Sequence, residues 1–238
     1  MSRNIVIIGA SGTIGSSLVN IYKKNSDNQV YAFSRGYNYQ RDANLIMDDI
    51  DILDEESIQK IVKKYFTESS IDILIIATGL LHNEIIFPEK SIREISLKKF
   101  QTVFNINTFA PALIFKHFFN SISRERKSVF AAFSARVGSI SDNKIGGWHS
   151  YRASKSALNM IIKNFSIEIS RKYKNNIIVG LHPGTVDSKL SKPFQKNVPT
   201  EKLFSGEYSA LKIVKVLDSL SIQDTGKCFD FNSLEVFP

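Results

Sequence analysis

Tyr151 and Lys155, in Tyr151-Arg152-Ala153-Ser154-Lys155, are spaced to share one face of a helix and could do acid–base chemistry together. An ammonium one turn from a phenol favours the phenolate and draws a group with an intrinsic pKa of about 10 toward the range useful for proton transfer. Alone, that spacing is more often surface decoration. A second group stands near the N-terminus, where Gly9-Ala10-Ser11-Gly12-Thr13-Ile14-Gly15 follows the apolar run Ile5 to Ile8 and opens a helical pattern. Glycines there permit a tight turn and close approach of backbone to a pyrophosphate, whose charge the free N–H groups of the helix start attract. About 20 residues further on, an acid would bind ribose hydroxyls and a cation a 2′-phosphate. The segment reads Phe33-Ser34-Arg35, with no acid, so we expect NADP, bound by Ser34 and Arg35, with NAD as the alternative.

The elements that must position these residues alternate between apolar strand-like runs and longer helical patterns, the signature of a parallel sheet with helices on both faces. Strands are expected at Asn4–Ile8, Gln29–Phe33, Asn44–Met47, Ile71–Ala77, Ser128–Phe133, Asn176–Leu181 and Lys227–Phe231. Helices are expected at Ile14–Lys24, Glu55–Phe66, Leu97–Ser121, Tyr151–Tyr173 and Tyr208–Leu220. This describes an α/β, doubly wound, seven-stranded parallel sheet in a three-layer α/β/α sandwich. No linker or repeat divides the chain, so 1–238 reads as one Rossmann-type domain. The irregular stretch 188–205 reads as a substrate lid whose Phe194 and Phe204 need something to cover.

Composition excludes other classes. The single Cys228 cannot form an intrachain disulfide, and four histidines without a second thiol do not make a zinc cluster, so no metal is expected and a reducing, cytoplasmic setting fits. Apolar runs such as Ile73 to Ala77 fall far short of the roughly 20 residues that span a bilayer, so no membrane partner is expected. The net charge of +8 invites a nucleic-acid reading, but the lysines are scattered rather than striped, which argues against one.

The glycine turn and the Tyr-x-x-x-Lys together resemble the short-chain dehydrogenase/reductase family over essentially the whole chain. Ser134-Ala135-Arg136-Val137-Gly138-Ser139 and Gly146-Gly147-Trp148-His149-Ser150-Tyr151 are similar in wording to its branch of C-factor signalling proteins and carbonyl reductases. The resemblance implies that Tyr151 exchanges a proton with a carbonyl or alcohol substrate while a hydride moves to or from the same carbon. It implies that Lys155 lowers the pKa of Tyr151 and binds the nicotinamide ribose, and that Asn107 holds a water linking Lys155 to solvent; the residues alone allow Asn107 equally to be a buried asparagine satisfying backbone groups at a helix bend near Pro111. It places Gly9, Ser11, Gly12, Thr13, Ile14 and Gly15 at the phosphates, Asp51 and Ile52 at adenine, and Ala77, Thr78 and Gly79 along the cofactor. Pro183, Gly184, Val186 and Ser188 fall on the nicotinamide side. A homodimer or homotetramer is implied, with Leu97–Ser121 and Tyr151–Tyr173 at the seam.

The chain departs from the family at three places. Its glycines are evenly spaced, and Ile76-Ala77-Thr78-Gly79 replaces the usual Asn-Asn-Ala-Gly. Counting back from Tyr151 at the family's usual serine spacing gives Gly138, whereas aligning on that glycine gives Ala135. We take Ser134 as the serine that orients the carbonyl, with Ser139 as the other neighbouring hydroxyl. His149 could line the substrate mouth, although a structural histidine is the commoner case. The leading reading is an NADP-dependent oxidoreductase acting on a small carbonyl or alcohol compound. The alternative is a cofactor-binding signalling or regulatory protein with little turnover.

Overall fold

A computed structural model describes residues 2–238. Ten strands form: β1 (Arg3–Ile8), β2 (Asn28–Phe33), β3 (Gln40–Asp42), β4 (Leu45–Asp48), β5 (Ile73–Ile76), β6 (Ser128–Phe133), β7 (Asn176–His182), β8 (Thr185–Val186), β9 (Leu203–Phe204) and β10 (Cys228–Asp230). Six α-helices accompany them: α1 (Thr13–Tyr22), α2 (Glu55–Tyr65), α3 (Leu97–Phe104), α4 (Ala110–Phe118), α5 (His149–Ser170) and α6 (Gly206–Ser219). The main sheet runs β10-β7-β6-β5-β1-β2-β4-β3. Its first seven members are parallel and match the strands read from sequence. The expectation of seven strands is corrected to eight, because β3 adds an antiparallel edge to β4. Gln40, Arg41 and Asp42 are all exposed, so this strand has no apolar face and leaves no hydrophobic pattern to read.

Alternation along the parallel strands builds two cores. Ile5 and Ile7 of β1 face one side, with Leu18, Val19 and Tyr22 of α1 and Ile213, Val216 and Leu217 of α6. Val6 and Ile8 face the other, with Ile58 and Ile61 of α2, Ile114, Phe115 and Phe118 of α4, and Leu158 and Ile162 of α5. Both faces are covered, so the strands read as continuous apolar runs rather than as alternating ones. Truncating any of these side chains to alanine would cost about 2–5 kcal/mol. Among the described residues, no helix is long and apolar enough to cross a membrane.

The expected single helix Leu97–Ser121 is broken. A π-helical turn, Asn105–Phe109, separates α3 from α4, and a 3₁₀ turn, Phe119–Ser121, ends the segment. Pro111 explains the break: it has no N–H to donate back to residue 107, so the ladder widens there. The stretch 188–205 is held at both ends, because Thr185 and Val186 pair with Leu203 and Phe204 in a short parallel ladder. Short helical turns, Lys192–Asn197 and Thr200–Lys202, fill the interval.

The parallel order places β1 between β2 and β5, where the chain reverses its direction of winding. The crevice beyond the C-terminal ends of β1 and β5 is the place where such sheets bind ligands.

His182, at the end of β7, has its Nδ1 buried without a partner. Burial, joined by the Arg136 charge and opposed by Asp230, pulls its pKa from 6.5 down to about 4. Below pH 6.5 an unfolded chain takes up a proton there that the folded chain refuses, so stability should fall as pH drops from 6.5 toward 4, by up to about 3 kcal/mol. Urea titrations at neutral and acid pH should show this loss in wild type and a smaller one in His182→Phe; equal losses would reject the assignment.

Candidate functional site

The turns after β1 and β5 are pressed together at the crevice. Gly9 adopts φ +87°, and a Cβ there would lie 2.8 Å from Thr78 Cγ2 and 3.0 Å from the Ala77 carbonyl carbon. A Cβ on Gly15 would lie 2.2 Å from Gly9 O, so α1 packs against the turn that precedes it. Gly12 is the cap of α1 and donates its N–H to Gly9 O at 3.1 Å. No side chain caps this helix, so the N–H groups of its first turn, including those of Thr13 and Ile14, are left for an anion. Beside the turn, Ser11 Oγ and Ser34 Oγ share a hydrogen bond of 2.5 Å. Arg35 is exposed and makes no ion pair among the described residues, while the next N–H, of Gly36, donates to Asp49 Oδ1 at 2.5 Å. Asp51 accepts from Leu53 N at 2.9 Å, and Ile52 packs on the α2 side of the sheet. The chain thus brings Gly9, Ser11, Gly12, Thr13, Ile14, Gly15, Ser34, Arg35, Ala77, Thr78 and Gly79 to one end of the sheet. Thr78 Oγ1 is buried there without a partner.

Asn107 links this end to α5, which carries Tyr151 and Lys155. The π-helical turn sets its side chain inward, where Oδ1 accepts from Leu80 N at 2.7 Å and Nδ2 donates to Leu80 O at 2.9 Å and to Ser154 Oγ at 3.1 Å. Thr108 Oγ1 adds a bond to Ser154 O at 2.8 Å. Lys155 is buried and donates from Nζ to Phe133 O at 2.7 Å, and its Nζ stands 5.8 Å from the centre of the Tyr151 ring. An atom added at the Cβ position of Gly79 would lie 3.7 Å from Asn107 Oδ1 and 3.8 Å from Lys155 Nζ. Tyr151, Lys155, Asn107 and Gly79 therefore form one cluster.

Ser134 does not join it. Its hydroxyl donates to Asn159 Oδ1 at 2.6 Å, and the neighbouring Ala135 is the residue packed against the group containing Tyr151, Leu81, Ile86 and Val103. Successive side chains leaving β6 point to opposite sides, so Ala135 takes the place at Tyr151 that the sequence reading gave to Ser134. Ser139 is buried as well, and its Oγ accepts from Asp142 N at 3.1 Å.

The pKa of Tyr151 also runs against the sequence expectation. Burial pushes the phenol up to about 12, and burial pulls the Lys155 ammonium down to about 8, with Cys228 opposing. Burial alone sets the direction for Tyr151, while Lys155 Nζ is committed to the Phe133 carbonyl.

On the far side, Gly184 adopts φ +79° against the rings of Phe204 and Phe231. Pro183 O accepts from Ser209 Oγ at 2.8 Å, Val186 O accepts from Ser191 Oγ at 2.5 Å, and Ser188 N donates to that same hydroxyl at 3.3 Å. Phe204 packs on Phe231 and Tyr208, so it anchors the end of the stretch 188–205 and does not face the cleft. Phe194 lies on the other side: its ring is 5.0 Å from that of Trp148, which in turn is 6.3 Å from Tyr151. His82 stacks on Phe87, meets the edge of Phe194, and bonds through Nε2 to Lys189 O at 3.0 Å. A cleft of about 510 Å³ opens here, lined by Gly79, His82, Phe87, Lys189 and Leu190 among others. His149 is half-buried at the start of α5. Sequence reasoning missed Trp148 and Asn159; as the sole tryptophan, directly before the helix that carries Tyr151 and Lys155, Trp148 was the one with a signal.

A family model for short chain dehydrogenases matches residues 3–199. Among curated proteins, the chain is 37% identical over 95 residues to a 1-hydroxy-2-glutathionyl-2-methyl-3-butene dehydrogenase of Rhodococcus sp. (strain AD45), covering 40% of this chain and 39% of that protein. It is 28% identical over 133 residues to the C-signal of Myxococcus xanthus, covering 56% of this chain and 75% of that one. The chain thus spans about two fifths of the first relative and three quarters of the second. Among solved structures, the NADPH-bound carbonyl reductase from chicken fatty liver superposes with a TM-score of 0.86 at 24% identity, over 100% of this chain and 99% of that one. Carbonyl reductase Sniffer of D. melanogaster does so with a TM-score of 0.84 at 18% identity, over 100% of both.

The tightness of the cluster yields a stability test. A Cβ at Gly138 would lie 2.9 Å from both the carbonyl carbon and the Cβ of Lys155, so Gly138→Ala must displace α5 and should cost about 1–3 kcal/mol in urea unfolding. At Gly79 an added methyl makes only ordinary contacts, and Gly79→Ala should leave the midpoint unchanged.

Proposed function

Because the chain belongs to the short chain dehydrogenase family, we propose that it is an NADP-preferring oxidoreductase that moves a hydride between a nicotinamide and a carbonyl or alcohol substrate, with Tyr151 as the general acid. The observation that carries this reading is the meeting of the uncapped α1 turn with the Tyr151–Lys155–Asn107 cluster across Gly79. The residues fit a dinucleotide. Gly9 and Gly15 leave room that a Cβ would fill, Thr78 Oγ1 lacks a partner, and Arg35 is an unpaired cation where a 2′-phosphate would need one. Gly9 to Gly15 would hold the pyrophosphate, Ser34 and Arg35 the 2′-phosphate, Asp51 and Ile52 the adenine, and Pro183 to Ser188 the nicotinamide side. When bound, the cofactor supplies the hydride or accepts it.

The chain's own residues handle the proton. At neutral pH the Tyr151 phenol, with its pKa near 12, is protonated and suited to donate to a carbonyl oxygen. Donation leaves a buried phenolate, which Lys155 stabilises only while it remains an ammonium, below about pH 8. Asn107 fixes the loop after β5 against α5, and the aromatic lid of Phe194 and Trp148 excludes water. Ala135 brings no hydroxyl to the Tyr151 ring, so Tyr151 carries the carbonyl oxygen without help from that position. The NADPH named with the chicken carbonyl reductase agrees with the cofactor choice. A cytoplasmic homodimer or homotetramer is part of the same reading; the exposed Leu97, Phe109, Met160 and Ile167 lie on the helices that would pack.

NADPH oxidation with a panel of aldehydes and ketones tests the proposal. Tyr151→Phe should lower kcat by roughly 10²- to 10⁴-fold. Tight NADPH binding with no Tyr151-dependent oxidation would instead favour a cofactor-binding signalling protein. The rate of carbonyl reduction should hold below about pH 8 and fall above it as Lys155 loses its proton. Arg35→Ala should weaken NADPH by about tenfold and leave NADH unchanged; an unaltered preference would remove Arg35 from the site.

A further inference from the structure

Three acids have buried side chains, and two of them meet a cation: Asp72 pairs with Arg126, and Asp230 faces Arg136. Glu89 is fully buried and meets none among the described residues. It stands in the loop between β5 and α3, past Phe87 of the cleft wall, and three hydrogen bonds tie it to the start of α5. Its Oε2 accepts from Ser150 N at 3.1 Å and from Ser150 Oγ at 3.0 Å, and its backbone O accepts from Trp148 N at 2.5 Å. Its Oε1 is buried without a partner.

The backbone that Glu89 grips is strained. Gly146, Gly147 and Trp148 take φ values of +69°, +65° and +50°, a left-handed turn leading directly into the helix. A large side chain resists that conformation, and Trp148 is one of only two non-glycine residues that adopt it among the described residues. Such a residue persists only where its surroundings over-determine it. Trp148 provides no side-chain cap for α5, so the Glu89 carboxylate caps the helix in its place. The positive end of a 22-residue helix in turn favours a buried anion at that point. The left-handed turn sets the Trp148 ring against Tyr151 and against Phe194 of the lid.

We propose that Glu89 is a positioning residue for Tyr151: it clamps the left-handed turn and first helical turn of α5 to the wall of the substrate cleft, fixing Tyr151 and Trp148 relative to the substrate. This rests on the reading of Tyr151 as the proton donor. Glu89 touches neither substrate nor cofactor, and its loss acts on the rate through geometry. Trp148, as the only tryptophan, reports on the clamp independently of turnover.

The experiment compares wild type, Glu89→Ala, Glu89→Gln and Ser150→Ala in NADPH-dependent carbonyl reduction and in acrylamide quenching of Trp148 fluorescence. In Glu89→Ala, kcat should fall roughly 10- to 100-fold, as for a small misplacement of a reacting group, with the KM for NADPH little changed and Trp148 more readily quenched. Glu89→Gln retains an acceptor for Ser150 and should recover most of both properties. Unchanged kcat in Glu89→Ala, or a loss of kcat with Trp148 quenching as in wild type, would overturn the proposal. Should Glu89→Ala not fold, Ser150→Ala decides: a smaller fall in kcat with increased quenching supports the clamp, and no change in either refutes it. A wild-type chain that reduces no carbonyl would refute the functional reading instead; the clamp would then stand or fall on whether quenching differs between wild type and these variants.

Discussion

The side chain of Asn107 holds together the three parts of the site that are far apart in sequence. It bonds both backbone groups of Leu80, after β5, and the Ser154 hydroxyl, inside α5, from a π-helical turn that Pro111 imposes on the segment between α3 and α4. The bond to Ser154 is buried and the two to Leu80 are half-buried. Removing the amide would leave the Leu80 N–H and C=O without partners, at about 1–3 kcal/mol for each buried group. The cost in geometry would be larger than the cost in stability. Leu80 follows Gly79, which lies over Lys155, and Ser154 precedes Lys155 in the helix. A shift of either would separate the two halves of the crevice.

Desolvation dominates the electrostatics of that crevice. Two opposed effects act on Tyr151: burial raises its pKa, and a nearby ammonium would lower it. Burial pushes the phenol up to about 12, while the ammonium is itself buried, drawn down to about 8 and committed to the Phe133 carbonyl. A displacement of that size for Lys155 corresponds to about 3 kcal/mol against the charged form. That penalty falls in the interval between pH 8 and the ordinary lysine value, where the unfolded chain binds the proton and the folded chain does not, so this group's contribution to stability rises with pH there. The overall charge of +8 has little part in this, since the cation inside the crevice, Lys155, is single and local.

Much of this was legible in the sequence, for physical reasons that also explain the remainder. The parallel strands are buried on both faces and therefore read as apolar runs, and the glycine turn and Tyr151–Lys155 spacing are local patterns. What escaped was non-local or polar. β3 is an all-polar edge strand, so periodicity does not reveal it. Apolar spacing continues across Pro111, so periodicity alone joins α3 and α4 into one helix. The choice between Ser134 and Ala135 depended on which face a side chain takes as it leaves β6, and Ser134 is held away by Asn159, eight positions beyond Tyr151 on the same helix. Glu89 carries no pattern at all, since its partners, Ser150 and Trp148, lie about 60 residues away and only the fold joins them.

The lid follows from the same balance. β8–β9 pairing fixes its ends and Phe204 anchors it against Phe231, so its middle is the part left to meet the cleft. There Phe194 lies between His82 and Trp148, extending an aromatic path from the cleft wall to Tyr151. Tyr151 is buried in a cluster with Leu81, Ile86 and Val103, against which Ala135 rather than a hydroxyl-bearing residue packs, so its surroundings have a low dielectric. A low dielectric raises the pKa of an isolated phenol, and it also strengthens the field of any ammonium brought close to it. The feature that keeps Tyr151 protonated in this structure would therefore make its proton transfer more sensitive to where Lys155 points, which is set by the Phe133 carbonyl, Gly138 and the register of α5.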